Sequence, residues 1–283
     1  MEINKYRRHK YPKVERKYGE IMGIKVSITT KTEVLEFINS RLETKDKFYI
    51  VTPNPENLLL ATKDWLLQKA IRRADLSTPD GIGLKFAYKF LHAKDLEIIK
   101  GRELFLDIIK IADERKLRVY LFGGESGESE KAKEVLARTY KNITFKTHRE
   151  FPQYSKNGQP VSEASRKMHK IILGSIKLFE PDLIFVAMNT PKQEKWIFRN
   201  FYRLLNVTGA MAVGGTFNYV AGSMKLPPKW LEKLGLEWVY RLIQEPWRFK
   251  RILNAVIVFP WRVFMWKINT PERTRSRAET ERK

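Results

Sequence analysis

Residues Asp182 to Glu194 read DLIFVAMNTPKQE. The stretch 182–188 is an almost unbroken apolar run, too short for a helix of ordinary length and bounded by a polar, proline-containing loop, so it reads as a buried strand. The loop Asn189-Thr190-Pro191 then opens a helical pattern over 191–203. Pro191 suits the first helical turn, where a missing N–H costs nothing.

This strand–loop–helix unit recurs along the chain. Strand-like runs lie at 47–52 (KFYIVT), 117–122 (LRVYLF) and 207–213 (VTGAMAV), with a shorter one leading to 78 and another at 143–147. Helical patterns at 31–44, 56–74, 82–92, 102–115, 127–140 and 162–179 lie between them, and Thr30 with Glu33 forms a capping box for the first. Short strands alternating with helices predict an α/β fold: a Rossmann-like, mostly parallel sheet with helices on both faces and right-handed crossovers.

Composition narrows the chemistry. The 283 residues are enough for a full core, and 43% hydrophobic content excludes wholesale disorder. With no cysteine, disulfides, thiolate metal sites and cysteine nucleophiles are excluded. His9, His92, His148 and His169 are scattered, so no histidine metal site is expected. No apolar run reaches the ~18 residues a bilayer span requires, and the N-terminus does not read as a signal peptide, which points to the cytoplasm. Lys+Arg 54 against Asp+Glu 32 gives a net charge of +22 and implies polyanionic partners.

The segment after each strand is the informative part. The connections are Thr52-Pro53-Asn54-Pro55, Pro79-Asp80-Gly81-Ile82-Gly83, Gly123-Gly124-Glu125-Ser126-Gly127, Asn189-Thr190-Pro191 and Gly214-Gly215-Thr216-Phe217-Asn218. Ligands of open α/β sheets bind beyond the carboxyl ends of the strands, and each connection opens a helix whose free N–H groups suit phosphate. Together they predict one pocket for an anionic ligand. The chain has no Walker loop, an incomplete dinucleotide fingerprint and no Asp-x-Asp for a metal-bridged nucleotide sugar. Within STPDGIG (77–83), Asp80 reads either as a turn former or as a carboxylate held out for chemistry.

Taken in order, VTPNPENL, TPDGIG, LFGG, PDLIFVAMNTPKQEKWI, VGGTFNYVAGSMKLPPKWL and LGLEWVYRLIQEPWR resemble the bacterial WecG/TagA/CpsF glycosyltransferase family across residues 20–255. The resemblance implies transfer of a sugar, N-acetylmannosamine or a related hexose, from a UDP-sugar donor to a polyprenyl-diphosphate-linked sugar. The product belongs to surface polysaccharide synthesis: wall teichoic acid, enterobacterial common antigen or exopolysaccharide. The resemblance further implies that transfer inverts the anomeric carbon and uses neither metal nor other cofactor. Asp80 then matches the family's proposed general base, which tips its reading from turn to catalyst. Thr52, Asn54 and Gln193 match residues lining the sugar pocket, although Asn and Thr in such loops also serve as helix caps. Gly123, Gly124 and Asn218 fall at donor contacts, Asn218 standing where the family carries Asp. Ile98-Ile99-Lys100-Gly101 stands where the family often has Arg-Val-x-Gly, leaving Lys100 or Arg102 to replace a pocket arginine.

From Lys225 onward the chain is basic and aromatic, and the resemblance makes Arg241, Arg248 and Arg251 the groups that close over the diphosphate. Residues 252–266, ILNAVIVFPWRVFMW, read as an interfacial anchor on an anionic membrane, or alternatively as a packed helix pair. The expected organisation is a basic arm (1–19), a catalytic domain (20–225), an appendage (226–269) and a tail (270–283). The expected location is cytoplasmic, peripheral on the inner face of the plasma membrane; a homo-oligomer is compatible with it. Two other classes fit parts of the pattern. A nucleic-acid-binding protein explains the charge but lacks a recognisable motif, and a nucleotide-dependent oxidoreductase shares the layered fold.

Overall fold

The computed structural model describes residues 17–124, 127–228, 230–231 and 235–270. Six strands form one parallel sheet: β3 (Phe48–Val51), β4 (Leu76–Ser77), β5 (Arg118–Gly123), β6 (Thr144–Thr147), β7 (Leu183–Ala187) and β8 (Gly209–Ala212). Their spatial order is β4-β3-β8-β7-β5-β6. The apolar runs are continuous because both faces of the sheet are covered. Tyr49, Val51, Tyr120, Phe122, Ile184 and Val186 point into one core, while Phe48, Ile50, Val119, Leu121, Leu183 and Phe185 point into the other.

The first core is closed by α2 (Pro55–Ala61), α3 (Trp65–Arg73), α4 (Ile82–His92), α7 (Glu163–Phe179) and α8 (Lys192–Asn200). The second is closed by α1 (Lys31–Thr44), α5 (Gly101–Glu114), α6 (Glu128–Thr139) and α9 (Thr216–Val220). The Rossmann-like α/β expectation therefore holds. The capping box forms as read, with Glu33 N–H donating to Thr30 Oγ1 and Thr30 N–H to Glu33 Oε2.

Three local features differ from the sequence reading. The single helix expected over 56–74 is broken, because Asp64 turns its carboxylate onto the Leu67 N–H and starts α3 afresh. Pro191 sits just before α8 rather than inside its first turn, after a cis peptide bond to Thr190. Residues 17–19, assigned to the basic arm, belong to β1 (Lys17–Ile21), which pairs antiparallel with β2 (Ile24–Ile28). The remainder of that arm and residues 271–283 of the tail lie outside the described residues.

The C-terminal segment comprises α10 (Glu237–Gln244), a 3₁₀ turn Pro246–Arg248, α11 (Phe249–Leu253), a π-helical turn Asn254–Val258 and α12 (Phe259–Asn269). Pro260 has no N–H to donate, and the widened turn lets Phe259 N–H reach Asn254 O five residues back. Phe259 and Val263 on α12 are buried in the first core. Phe264 stacks on Phe90 of α4, and Lys267 donates to Phe90 O at 2.6 Å. The opposite side of α12 is open, with Trp261 59% exposed. Among the described residues, no helix is long and apolar enough to cross a membrane.

A helix with two such sides predicts two different mutational responses. Phe259→Ala leaves a core cavity and costs about 3–5 kcal/mol in thermal or urea unfolding. Trp261→Ala, on the open side, changes stability by less than about 1 kcal/mol.

Candidate active site

The carboxyl ends of β3, β4, β8 and β7 converge on a cavity of about 330 Å³. Asp80 reaches it from the loop after β4. Its own N–H bonds Pro53 O at 2.9 Å, and Gly81 turns the chain sharply at φ +93°. The half-buried carboxylate accepts the N–H of Gly101, the first residue of α5, at 3.2 Å. Thr52, just past the end of β3, approaches the same glycine. A Cβ on Gly101 would lie 2.9 Å from Thr52 Oγ1 and 3.3 Å from Asp80 Oδ2, so only glycine allows this approach.

Asp80 sits in the turn, and its side chain lines the cavity. Its pKa is pushed up to about 6, first by burial and further by the Glu237 carboxylate. The Gly101 N–H, Lys100 and Arg102 oppose that rise. At neutral pH the group is therefore mostly ionised while remaining basic enough to take a proton.

Thr52, Asn54, Gln193 and Arg102 line the same cavity. Asn54 also caps α2, its Oδ1 accepting the Asn57 N–H at 3.0 Å. Gln193 is largely a strut. Its Oε1 accepts from Met188 N at 3.2 Å and Gly214 N at 2.9 Å, tying the loops after β7 and β8 together. Its Nε2 donates to Glu194 Oε1, which Thr190 Oγ1 also reaches at 2.9 Å. Burial pushes the Glu194 carboxyl up. Lys195, fully buried, pairs with Asp64. The Lys-Gln-Glu-Lys run at 192–195 thus builds much of the scaffold beneath the cavity.

Arg241, Arg248 and Arg251 enter the cavity from the C-terminal segment. Glu245 holds the first two, at 3.2 Å from Arg241 and 2.6 Å from Arg248, and Glu56 of α2 holds Arg251 at 2.7 Å. Burial and the neighbouring Arg241 press the Arg248 pKa below the usual guanidinium range. Arg102 lies over the Tyr219 ring at 5.2 Å. Lys100 instead contacts Glu237 of α10. Along this wall Lys100, Arg102 and the three arginines outnumber Asp80, Glu56 and Glu237. Such an excess favours a polyanion.

A second cavity of about 330 Å³ adjoins the first. Gly123, Gly124 and Asn218 line it, while Asn189, Gly214, Gly215 and Arg248 line both. Gly124 N–H bonds Ala187 O at 2.6 Å, an approach possible because Gly123 carries no Cβ. Among the described residues no three His, Asp or Glu side chains gather in a metal-holding group.

Sequence reasoning overlooked Lys100 and Glu237 as a pair, and Glu245 as the partner of two arginines. Glu245 was within reach, since it stands four residues after Arg241 and three before Arg248 on a helical pattern. The Lys100–Glu237 contact joins elements 137 positions apart, which no periodicity reveals.

An α/β sheet whose strand ends bring a carboxylate and several cations to one cavity can hold an anionic ligand. The chain belongs to the glycosyl transferase WecG/TagA/CpsF family, whose family model matches residues 19–273. It is a glycosyltransferase. It is similar to an N-acetylglucosaminyldiphosphoundecaprenol N-acetyl-beta-D-mannosaminyltransferase of Bacillus subtilis (strain 168), with 31% identity over 72% of this chain and 75% of the relative. A protein of the same description from Staphylococcus aureus (strain MW2) is 30% identical over 92% of this chain and 95% of its own length.

Gly101 provides a direct check on the geometry. Gly101→Ala should push Thr52 and Asp80 apart and lower the transfer rate by about 10²-fold, with the circular dichroism spectrum unchanged. A rate near wild type would show that the close packing of these groups does not matter.

Proposed function

We propose that the protein transfers an N-acetylhexosamine, N-acetylmannosamine by likeness to its relatives, from a UDP-sugar to a polyprenyl-diphosphate-linked N-acetylglucosamine, with inversion. The observation that carries this reading is the shared cavity of Asp80 and the three arginines. The second cavity takes the nucleoside end of the donor, with Gly124 and Asn218 against it, and Arg248 spans the boundary where the diphosphate lies. Thr52, Asn54 and Gln193 then border the donor sugar.

Asp80 takes the proton of the acceptor hydroxyl as the new bond to C1 forms. The bond from C1 to the β-phosphate oxygen breaks, and its electron pair leaves with UDP. Fixed guanidinium donors stabilise that developing charge without rearranging at the moment of reaction. In this scheme the arginines do the work a metal performs elsewhere. The region 20–225 supplies the base and donor pocket, and 226–269 supplies the arginines.

The protein is peripheral on the inner face of the plasma membrane in this reading. Support comes from the exposed aromatic side of the C-terminal segment, where Trp247 is 76% exposed, Trp261 is 59% exposed and Lys250 is also exposed.

Three measurements test the chemistry. Asp80→Asn lowers kcat by about 10²–10⁴-fold while UDP affinity by calorimetry stays within a few fold. Since burial raises the Asp80 pKa to about 6, the base is lost by protonation as pH falls, so kcat/KM should drop below pH 6 and level off above it. EDTA leaves the rate intact, and Mg²⁺ rescue of a chelated, inactive enzyme would contradict the arginine scheme. Wild-type turnover by the Asn variant would return Asp80 to a purely structural role.

A further inference from the structure

Among the described residues, three contacts between the C-terminal segment and the α/β body near Asp80 bear on the site. Gly235 lies against Ile82 at the start of α4, where a Cβ would sit 3.3 Å from the Ile82 side chain. Arg251 of α11 pairs with Glu56 of α2. Glu237, the first residue of α10, pairs with Lys100, the residue that precedes α5. The two ion pairs have opposite polarity. At one the body supplies the acid and the segment the base; at the other the roles are reversed.

The Lys100–Glu237 contact lies next to the catalytic group. Lys100 is followed by Gly101, whose N–H holds the Asp80 carboxylate. Both charged partners are half-buried, with side-chain exposures of 27% and 35%, so their interaction is less screened than that of a surface pair. Lys100 also lies 3.9 Å from Glu103 on its own helix, a weaker hold than its contact with Glu237.

We propose that Lys100 and Glu237 are positioning residues that seat the C-terminal segment over Asp80 and, through their opposed charges, set the electrostatics of the general base. The proposal rests on the glycosyltransferase reading above but assigns it two residues outside the base and the diphosphate arginines.

The pair acts on Asp80 in opposite senses. Glu237 raises the Asp80 pKa and Lys100 lowers it. The other charges around the carboxylate and along the cavity, Arg102 of α5, Glu56 of α2, Arg241 of α10, Arg248 and Arg251, are the same in every variant below. A merely structural contact would affect both partners alike, whereas this arrangement gives them opposite pH signatures.

The test compares the full-length chain with Glu237→Gln, Lys100→Gln and the double variant, using a UDP-sugar donor and a soluble short-chain acceptor. Each single change should raise the acceptor KM by about three- to tenfold, and the double should be no worse than the poorer single, as expected for partners in one contact. The acid limb of kcat/KM should move to lower pH in Glu237→Gln and to higher pH in Lys100→Gln. Thermal unfolding of the same variants supplies the coupling without an assay of transfer. KM and unfolding penalties that simply add in the double variant, or acid limbs that stay fixed or move the same way, would overturn the proposal. Should Asp80→Asn turn over like wild type, the general-base reading fails separately, and the KM and unfolding cycles still decide whether the pair seats the segment.

Discussion

The site depends on one hydrogen bond, from the first N–H of α5 to the carboxylate of Asp80. That N–H belongs to the positive end of a helix and lacks a partner within it, so the carboxylate satisfies the helix while the helix favours its charge. Burial works in the other direction and raises the group's pKa to about 6. In the general-base reading proposed above, the two effects need each other: unopposed, the helix end makes a weak base, and burial alone keeps the acid protonated. The glycine that donates the bond also lets Thr52 approach, so β3, β4 and α5 meet at a point with no room for a side chain.

Much of the fold was legible because the parallel sheet is buried on both faces. Runs such as LIFVA and RVYLF stand out against amphipathic helices, and their boundaries agree with the structure to within a residue or two. The β1–β2 hairpin was not. Its turn residues are Met22 and Gly23, both at positive φ, and a methionine there gives no turn signal of the Asn-Gly kind. Its strands alternate over only five residues each, beside a basic run that masks the pattern.

The site was legible to a similar depth. The loops at the strand ends marked where a pocket would lie, but it was the family resemblance that singled out Asp80, Thr52, Asn54 and the arginines within and beyond them. Their duties were harder to read. Asn54 lines the cavity while capping a helix, and Gln193 spends most of its amide on holding two loops in register. Polar residues at the end of a sheet often serve both purposes, because the backbone groups there need partners as much as a ligand does. Sequence shows which side chains are present, but the division of their hydrogen bonds depends on distances across the fold.

The grip of the first core on Phe259 and Val263 has a geometric consequence. A helix clasped along one edge can neither roll about its axis nor sink away from the body without opening that core. Its exposed aromatic side therefore meets any surface at a set tilt and depth. On the peripheral-membrane reading proposed above, the mouth of the cavity is carried at a fixed height over the lipid, like a tool held in a jig rather than a float on a line.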